Sequence, residues 1–182
     1  MCECAKNSSL SIEAWINPYR VSQEDDVSKL CEDNIAAKWL NNDDKKSNVV
    51  VCDNKIYFNP ASDDVKKIVI KGVEEIVKNY DIDGIHFDDY FYPTTDESID
   101  ENEFLSYKES GGELLLDDWR RENVSDLIKK VYSTVKKIKT QVVFGVSPAS
   151  NIEKNYNTLY ADVEKWVTED GYVDYICPQI YF

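Results

Sequence analysis

The chain has 182 residues, 42% of them hydrophobic and 31% charged, and a formal net charge of −14 at pH 7. That length supports one sizeable core and disfavours two independent domains. The acidity opposes nucleic acid and anionic membrane surfaces, which are bound through clustered Lys and Arg, and no window approaches the ~20 apolar residues of a membrane span.

Residues 1–9 read as an irregular N-terminus with no apolar run of signal-peptide length. The five cysteines, Cys2, Cys4, Cys31, Cys52 and Cys177, contain no CxxC pair and read as buried or incidental thiols. Residues 10–17 form a short strand ended by Pro18. The spacing of Val27, Leu30, Cys31, Asn34 and Lys38 predicts a helix. Residues 49–51 and 56–58, joined by the turn residues Asp53 and Asn54, predict a hairpin closed by Asn59-Pro60.

Ser62 is an N-cap, followed by Asp63 and Asp64 where the helix dipole favours negative charge. Val65, Ile68, Val69, Val73, Ile76, Val77 and Tyr80 mark the apolar face of that helix. A second core strand spans residues 82–90. Residues 94–112 are polar and irregular, an excursion of a length that is often functional. Asp117 or Asp118 caps a long helix whose apolar face runs from Val124 through Leu127, Ile128, Val131, Tyr132 and Val135 to Ile138. Residues 142–147 are a third core strand stopped by Pro148. A shorter helix carries Leu159, Val163, Trp166 and Val167, and residues 173–181 form a fourth core strand.

This alternation predicts parallel strands joined by right-handed crossovers. In such folds ligands bind at the C-terminal ends of the strands. Four strand ends here carry polar or aromatic groups: Asn17, Tyr19 and Arg20; Asp88, Asp89, Tyr90 and Tyr92; Ser147; and Gln179 and Tyr181. Along residues 83–90 the side chains alternate, so Ile85 and Phe87 face the helices while His86, Asp88 and Tyr90 face inward. An inward carboxyl is costly unless paired or working, which makes Asp88 the first candidate for a catalytic carboxyl and Asp89 the second. Asp83, at the strand start, reads as a structural hydrogen bonder. His86 is the single histidine. No G-x-S-x-G elbow accompanies it, and one histidine beside carboxylates falls short of a metal set, so no cofactor and no metal is expected.

The segments AWINPYRV, YFNPASDDVKK, YDIDGIHFDDYFYP, DDWRRENV, FGVSPA and VDYICPQIYF occur in this order from Ala14 to Phe182. Together they resemble the glycosyl-hydrolase-like family 10. The resemblance implies an α/β fold, a (β/α)8 TIM-type barrel of parallel strands. It also implies bacterial proteins, often secreted or at the cell surface, with glycosidase activity. The family's acidic motif matches Asp83, Gly84, His86, Asp88 and Asp89. A more distant similarity runs to the family 18 chitinases, but where those carry an acid two residues after an inward Asp, this chain has Tyr90.

Members of the resembled family have barrel strands on both sides of the region matched here. The expectation is therefore one incomplete barrel domain over residues 1–182, open to self-association through its strand edges. The expected activity, assigned to the parent enzyme with the 182-residue chain expected to be a poor catalyst, is hydrolysis of O-glycosidic bonds in a poly- or oligosaccharide, with Asp88 and Asp89 the candidate carboxyls. Asn17, Tyr19, Arg20, His86, Tyr90, Tyr92, Ser147, Gln179 and Tyr181 would position the sugar. A non-catalytic carbohydrate-binding or degenerate barrel is the alternative, and a metal-dependent deacetylase a further one.

Overall fold

The computed structural model describes residues 2–88 and 91–181. Four strands form a parallel sheet in the order β1 (Glu13–Ile16), β5 (Gly84–Phe87), β6 (Val143–Val146) and β7 (Tyr175–Ile176). A second, antiparallel sheet has the order β2 (Arg20–Ser22), β4 (Lys55–Phe58) and β3 (Val49–Cys52). The expected hairpin is thus β3–β4, and residues that follow the first strand end add a third strand to it. Two long helices, α3 (Asp63–Asn79) and α5 (Leu116–Ile138), supply the main crossovers. The architecture is α/β, a partial (β/α)8 barrel of TIM type with parallel strands.

Register explains which side chains meet. Trp15 pairs with His86, His86 with Gly145 and Gly145 with Tyr175, so these four share one face of the sheet. The neighbouring positions Ile85, Phe87, Phe144 and Val146 face the other way and are fully buried. They join one core with Val65, Val69, Val73 and Val77 of α3 and Val124, Leu127, Ile128, Val131 and Val135 of α5. The start of α3 is as expected, with the Ser62 hydroxyl accepting from Val65 N. Asp83 is also structural, its carboxylate accepting from Ile12 N at 2.8 Å.

Several local expectations are corrected. Cys2–Asn7 form a helix, α1, where irregular chain was expected. The segment contains the good helix formers Glu, Ala and Lys with no Gly or Pro, and Cys2 packs against the core. The helix expected around residues 27–38 is two pieces, a 3₁₀ turn at Val27–Lys29 and α2 (Ile35–Leu40). Asn34, read as an interior helical position, instead accepts from Ala36 N as the N-cap. Asp117 and Asp118 lie inside the first turn of α5 rather than capping it. Leu159 lies between α6 (Ile152–Asn157) and α7 (Val163–Thr168), not within one helix. The last strand is short; beyond it Gln179 makes an isolated parallel bridge to Ala149, with Pro178 unable to donate to a ladder.

The largest correction concerns residues 94–112, expected to be irregular. They hold a 3₁₀ turn (Glu97–Ile99) and α4 (Glu101–Glu109). No residue of α4 is buried, so the sequence carries no apolar stripe to reveal it. Arg120 of α5 fixes this segment from below. Its fully buried guanidinium pairs with fully buried Asp100 through Nε–Oδ2 at 2.8 Å and Nη2–Oδ1 at 2.5 Å. It also donates to the carbonyls of Thr95 and Asp96.

Candidate active site

A cleft of about 460 Å³ runs over one face of the parallel sheet and out past the C-terminal ends of its strands. β1 contributes Glu13 and Trp15, β5 and its exit contribute His86 and Asp88, Ser147 follows β6, and residues 177–181 follow β7. Asp88 is 3% exposed, whereas Trp15 and Tyr181 are 74% and 84% exposed. The cleft therefore combines an enclosed carboxyl with open aromatic surface. A larger concavity of about 630 Å³ lies at α6 and α7, away from the strand ends, and is edged by Glu153, Asp162, Glu164 and Glu169.

Glu13 and His86, which line the cleft, join Tyr175 in a hydrogen-bonded row across the sheet. His86 Nδ1 lies 2.7 Å from Tyr175 Oη, and Tyr175 Oη donates to Glu13 Oε2 in a short contact. Glu13 Oε2 is 3.9 Å from His86 Nδ1. The His86 and Tyr175 rings stack with centroids 5.9 Å apart. Burial, and next the Glu13 carboxylate, push the Tyr175 phenol well above its ordinary range. Two glycines make this row possible. A Cβ on Gly145 would sit 2.0 Å from Tyr175 Cζ, and one on Gly84 would sit 2.8 Å from Glu13 Cγ and Cδ.

The site residues expected from sequence separate into groups. His86, Asp88, Ser147, Gln179 and Tyr181 come together in the cleft. Ser147 is largely occupied, its hydroxyl donating to Cys177 O at 2.8 Å. Gln179 Nε2 donates to Ser147 O at 3.1 Å, and Gln179 Oε1 accepts from Tyr181. These bonds build the wall made by the segment after β7.

Asn17, Tyr19, Arg20 and Tyr92 do not line the cleft. Asn17 Oδ1 turns back to accept from Tyr19 N and Arg20 N, shaping the exit from β1 as an Asx turn does. Arg20 is part of β2, opposite Tyr57. Tyr19 is fully buried, and burial followed by the Asp126 charge pushes its phenol up. Tyr92, 1% exposed, packs edge-on against Tyr160 at 5.0 Å, with the Arg120 guanidinium 5.2 Å from its ring centre. Both tyrosines are core residues rather than rim contacts. Asp89 and Tyr90 lie outside the described residues.

Sequence reasoning missed Glu13, Tyr175, Gly84 and Gly145 as parts of the site. Their signal is parity. Glu13 and Tyr175 occupy inward positions on strands that were recognised, and the two glycines lie opposite them in register. Register between distant strands is absent from a single sequence, so the row becomes visible only in the fold.

The model of a family described as Glycosyl hydrolase-like 10 matches residues 1–182. "Glycosyl hydrolase YngK" of Bacillus subtilis is 37% identical over 203 aligned residues, which cover all of this chain and 38% of that protein. "Glycosyl hydrolase DigH" of Escherichia coli K12 is 34% identical over 205 residues, covering all of this chain and 45% of that protein. The chain thus spans less than half the length of these relatives. Among solved structures, the alpha-L-fucosidase isoenzyme 2 from Paenibacillus thiaminolyticus aligns with a TM-score of 0.52 at 14% identity, over 80% of this chain and 21% of that one. At that identity the likeness speaks for the fold alone.

Proposed function

The chain belongs to the glycosyl hydrolase-like 10 family, and from that premise we propose that it hydrolyses O-glycosidic bonds of a poly- or oligosaccharide bound in the cleft at the strand ends. The observation that carries this reading is Asp88: a carboxyl only 3% exposed, placed at the C-terminal end of a parallel strand and bordering an aromatic-edged cleft.

Glycoside cleavage uses two carboxyl groups, one of which protonates the departing oxygen. In this reading Asp88 is the first candidate for one of them, with Asp89, next in sequence and outside the described residues, as the second candidate. Trp15 and Tyr181 offer apolar ring faces on which a sugar can lie. His86 and the backbone-anchored Gln179 wall present polar groups to its hydroxyls.

The names of the relatives, both glycosyl hydrolases, support the same class of chemistry. The test is release of new reducing ends from a panel of soluble polysaccharides and oligosaccharides. Time-dependent release supports the reading. Saturable binding of a glycan with no release over many hours favours the second reading, a carbohydrate-binding barrel whose exposed rings hold sugar without cleaving it.

A further inference from the structure

We infer that Glu13 and Tyr175 are positioning residues for His86: they hold its imidazole with the proton on Nδ1, leaving the lone pair of Nε2 to accept a hydroxyl of the bound glycan. The contact with a glycan hydroxyl rests on the proposed function. The tautomer does not, because it follows from counting hydrogens in the row.

A phenol has one hydrogen. Tyr175 Oη touches two groups, His86 Nδ1 at 2.7 Å and the carboxylate oxygen Glu13 Oε2. A carboxylate only accepts, so the contact with Glu13 takes the phenolic hydrogen. The phenol oxygen must then accept from His86, and Nδ1 is an N–H. A neutral imidazole carries one N–H, so the lone pair is on Nε2.

The reverse arrangement, with Tyr175 donating to Nδ1, sets the phenol oxygen against the carboxylate with no hydrogen between two electron-rich atoms. That costs the full unsatisfied contact in a partly enclosed place. Burial and the Glu13 charge both favour the protonated phenol, so the hydrogen is present to be donated.

The row is built rather than incidental. It draws one side chain from each of three strands, β1, β5 and β7, and it crosses β5 and β6 only because Gly84 and Gly145 lack a Cβ. His86, 22% exposed at its side chain, lines the cleft with Glu13 and Asp88. Fixing a ring through its second nitrogen is how proteins set both the orientation and the proton inventory of a working histidine.

The chain contains one histidine, so its ring is read without ambiguity by two-bond proton–nitrogen correlation on the ¹⁵N-labelled 182-residue protein, at about pH 9, above the ordinary histidine range. The expected spectrum has a pyrrole-type Nδ1 and a pyridine-type Nε2. A wild-type spectrum with the proton on Nε2, or on both nitrogens, overturns the inference, and this needs no variant.

Glu13→Ala releases the phenolic hydrogen for Nδ1 and should flip the ring to the Nε2–H form with Tyr175 still in place. Tyr175→Phe combined with Glu13→Ala removes both acceptors near Nδ1 and should do the same. A folded variant of either kind that keeps Nδ1–H also overturns it. No sugar enters these measurements, so an Nδ1–H ring in a protein that releases no reducing ends leaves the positioning intact and removes only the glycosidase reading.

Discussion

Tyr175 reaches His86 Nδ1 at 2.7 Å across 89 residues of sequence, and its ring gets there by lying over the bare backbone of Gly145, its register partner on β6. The strand between the two side chains therefore has to be smooth at that point. A methyl group there would stand 2.0 Å from Tyr175 Cζ, inside any real contact distance.

Gly145→Ala is expected to expel the Tyr175 ring from the row. Overpacking of this kind costs about 1–3 kcal/mol, read as a lower urea midpoint, and the His86 ring signals should move with it. Gly72, on α3, has nothing within 4 Å of an added Cβ, so Gly72→Ala is the matched control and should be neutral or slightly stabilising.

The Arg120–Asp100 pair should be strongly destabilised by removing one partner. Both side chains are fully buried, so Arg120→Met leaves an uncompensated carboxylate, at a cost of about 3–5 kcal/mol. Residues 94–112 should become the first site of limited proteolysis. Pairing the change with Asp100→Leu should recover most of the loss. A single variant as stable as wild type would show that the pair does not hold this segment.

Alkaline pH should destabilise the fold. Burial, followed by Asp126 for Tyr19 and by Asp100 for Tyr92, raises both folded-state phenols above their unfolded value. A raised phenol contributes its full stability below the unfolded pKa, about 10, and loses it as pH climbs beyond, because only the unfolded chain then releases the proton. Each of the two contributes up to about 1.4 kcal/mol per pH unit. Urea midpoints between about pH 8 and 11 should fall steeply above 10, and Tyr19→Phe should flatten the fall. A midpoint independent of pH in that range would contradict the burial of these hydroxyls.

Much of the scaffold is written in local pattern. The apolar faces of α3 and α5, the Ser62 cap and the inward–outward alternation of residues 83–88 all follow from periodicity, and the structure places Ile85 and Phe87 in the core and His86 and Asp88 at the cleft accordingly. What escaped has a shared cause. α4 has no fully buried residue, and it is held by Phe104 and Tyr107 packing on Trp119 and by Arg120, nineteen residues beyond Glu101, reaching back to Asp100, contacts that no local pattern encodes. Tyr19 and Tyr92 sit beside strand ends in sequence yet lie in the core, Tyr19 after the turn held by Asn17 and Tyr92 with its ring packed against the Arg120 guanidinium. Glu13 and Tyr175 needed inter-strand register. Local periodicity thus marks elements and faces, while the membership of the site depends on which faces are brought side by side.

Asp88 is the residue on which the proposed hydrolysis most directly depends. Asp88→Asn keeps the volume and removes the ionisable group, so reducing-end release from any cleaved polysaccharide should drop by about 10²- to 10⁴-fold, with the amide spectrum and urea midpoint of the wild type retained. The same comparison belongs in a full-length relative that carries the matching aspartate. Undiminished release by a folded Asp88→Asn protein would place the chemistry elsewhere and rule out Asp88 as the catalytic carboxyl.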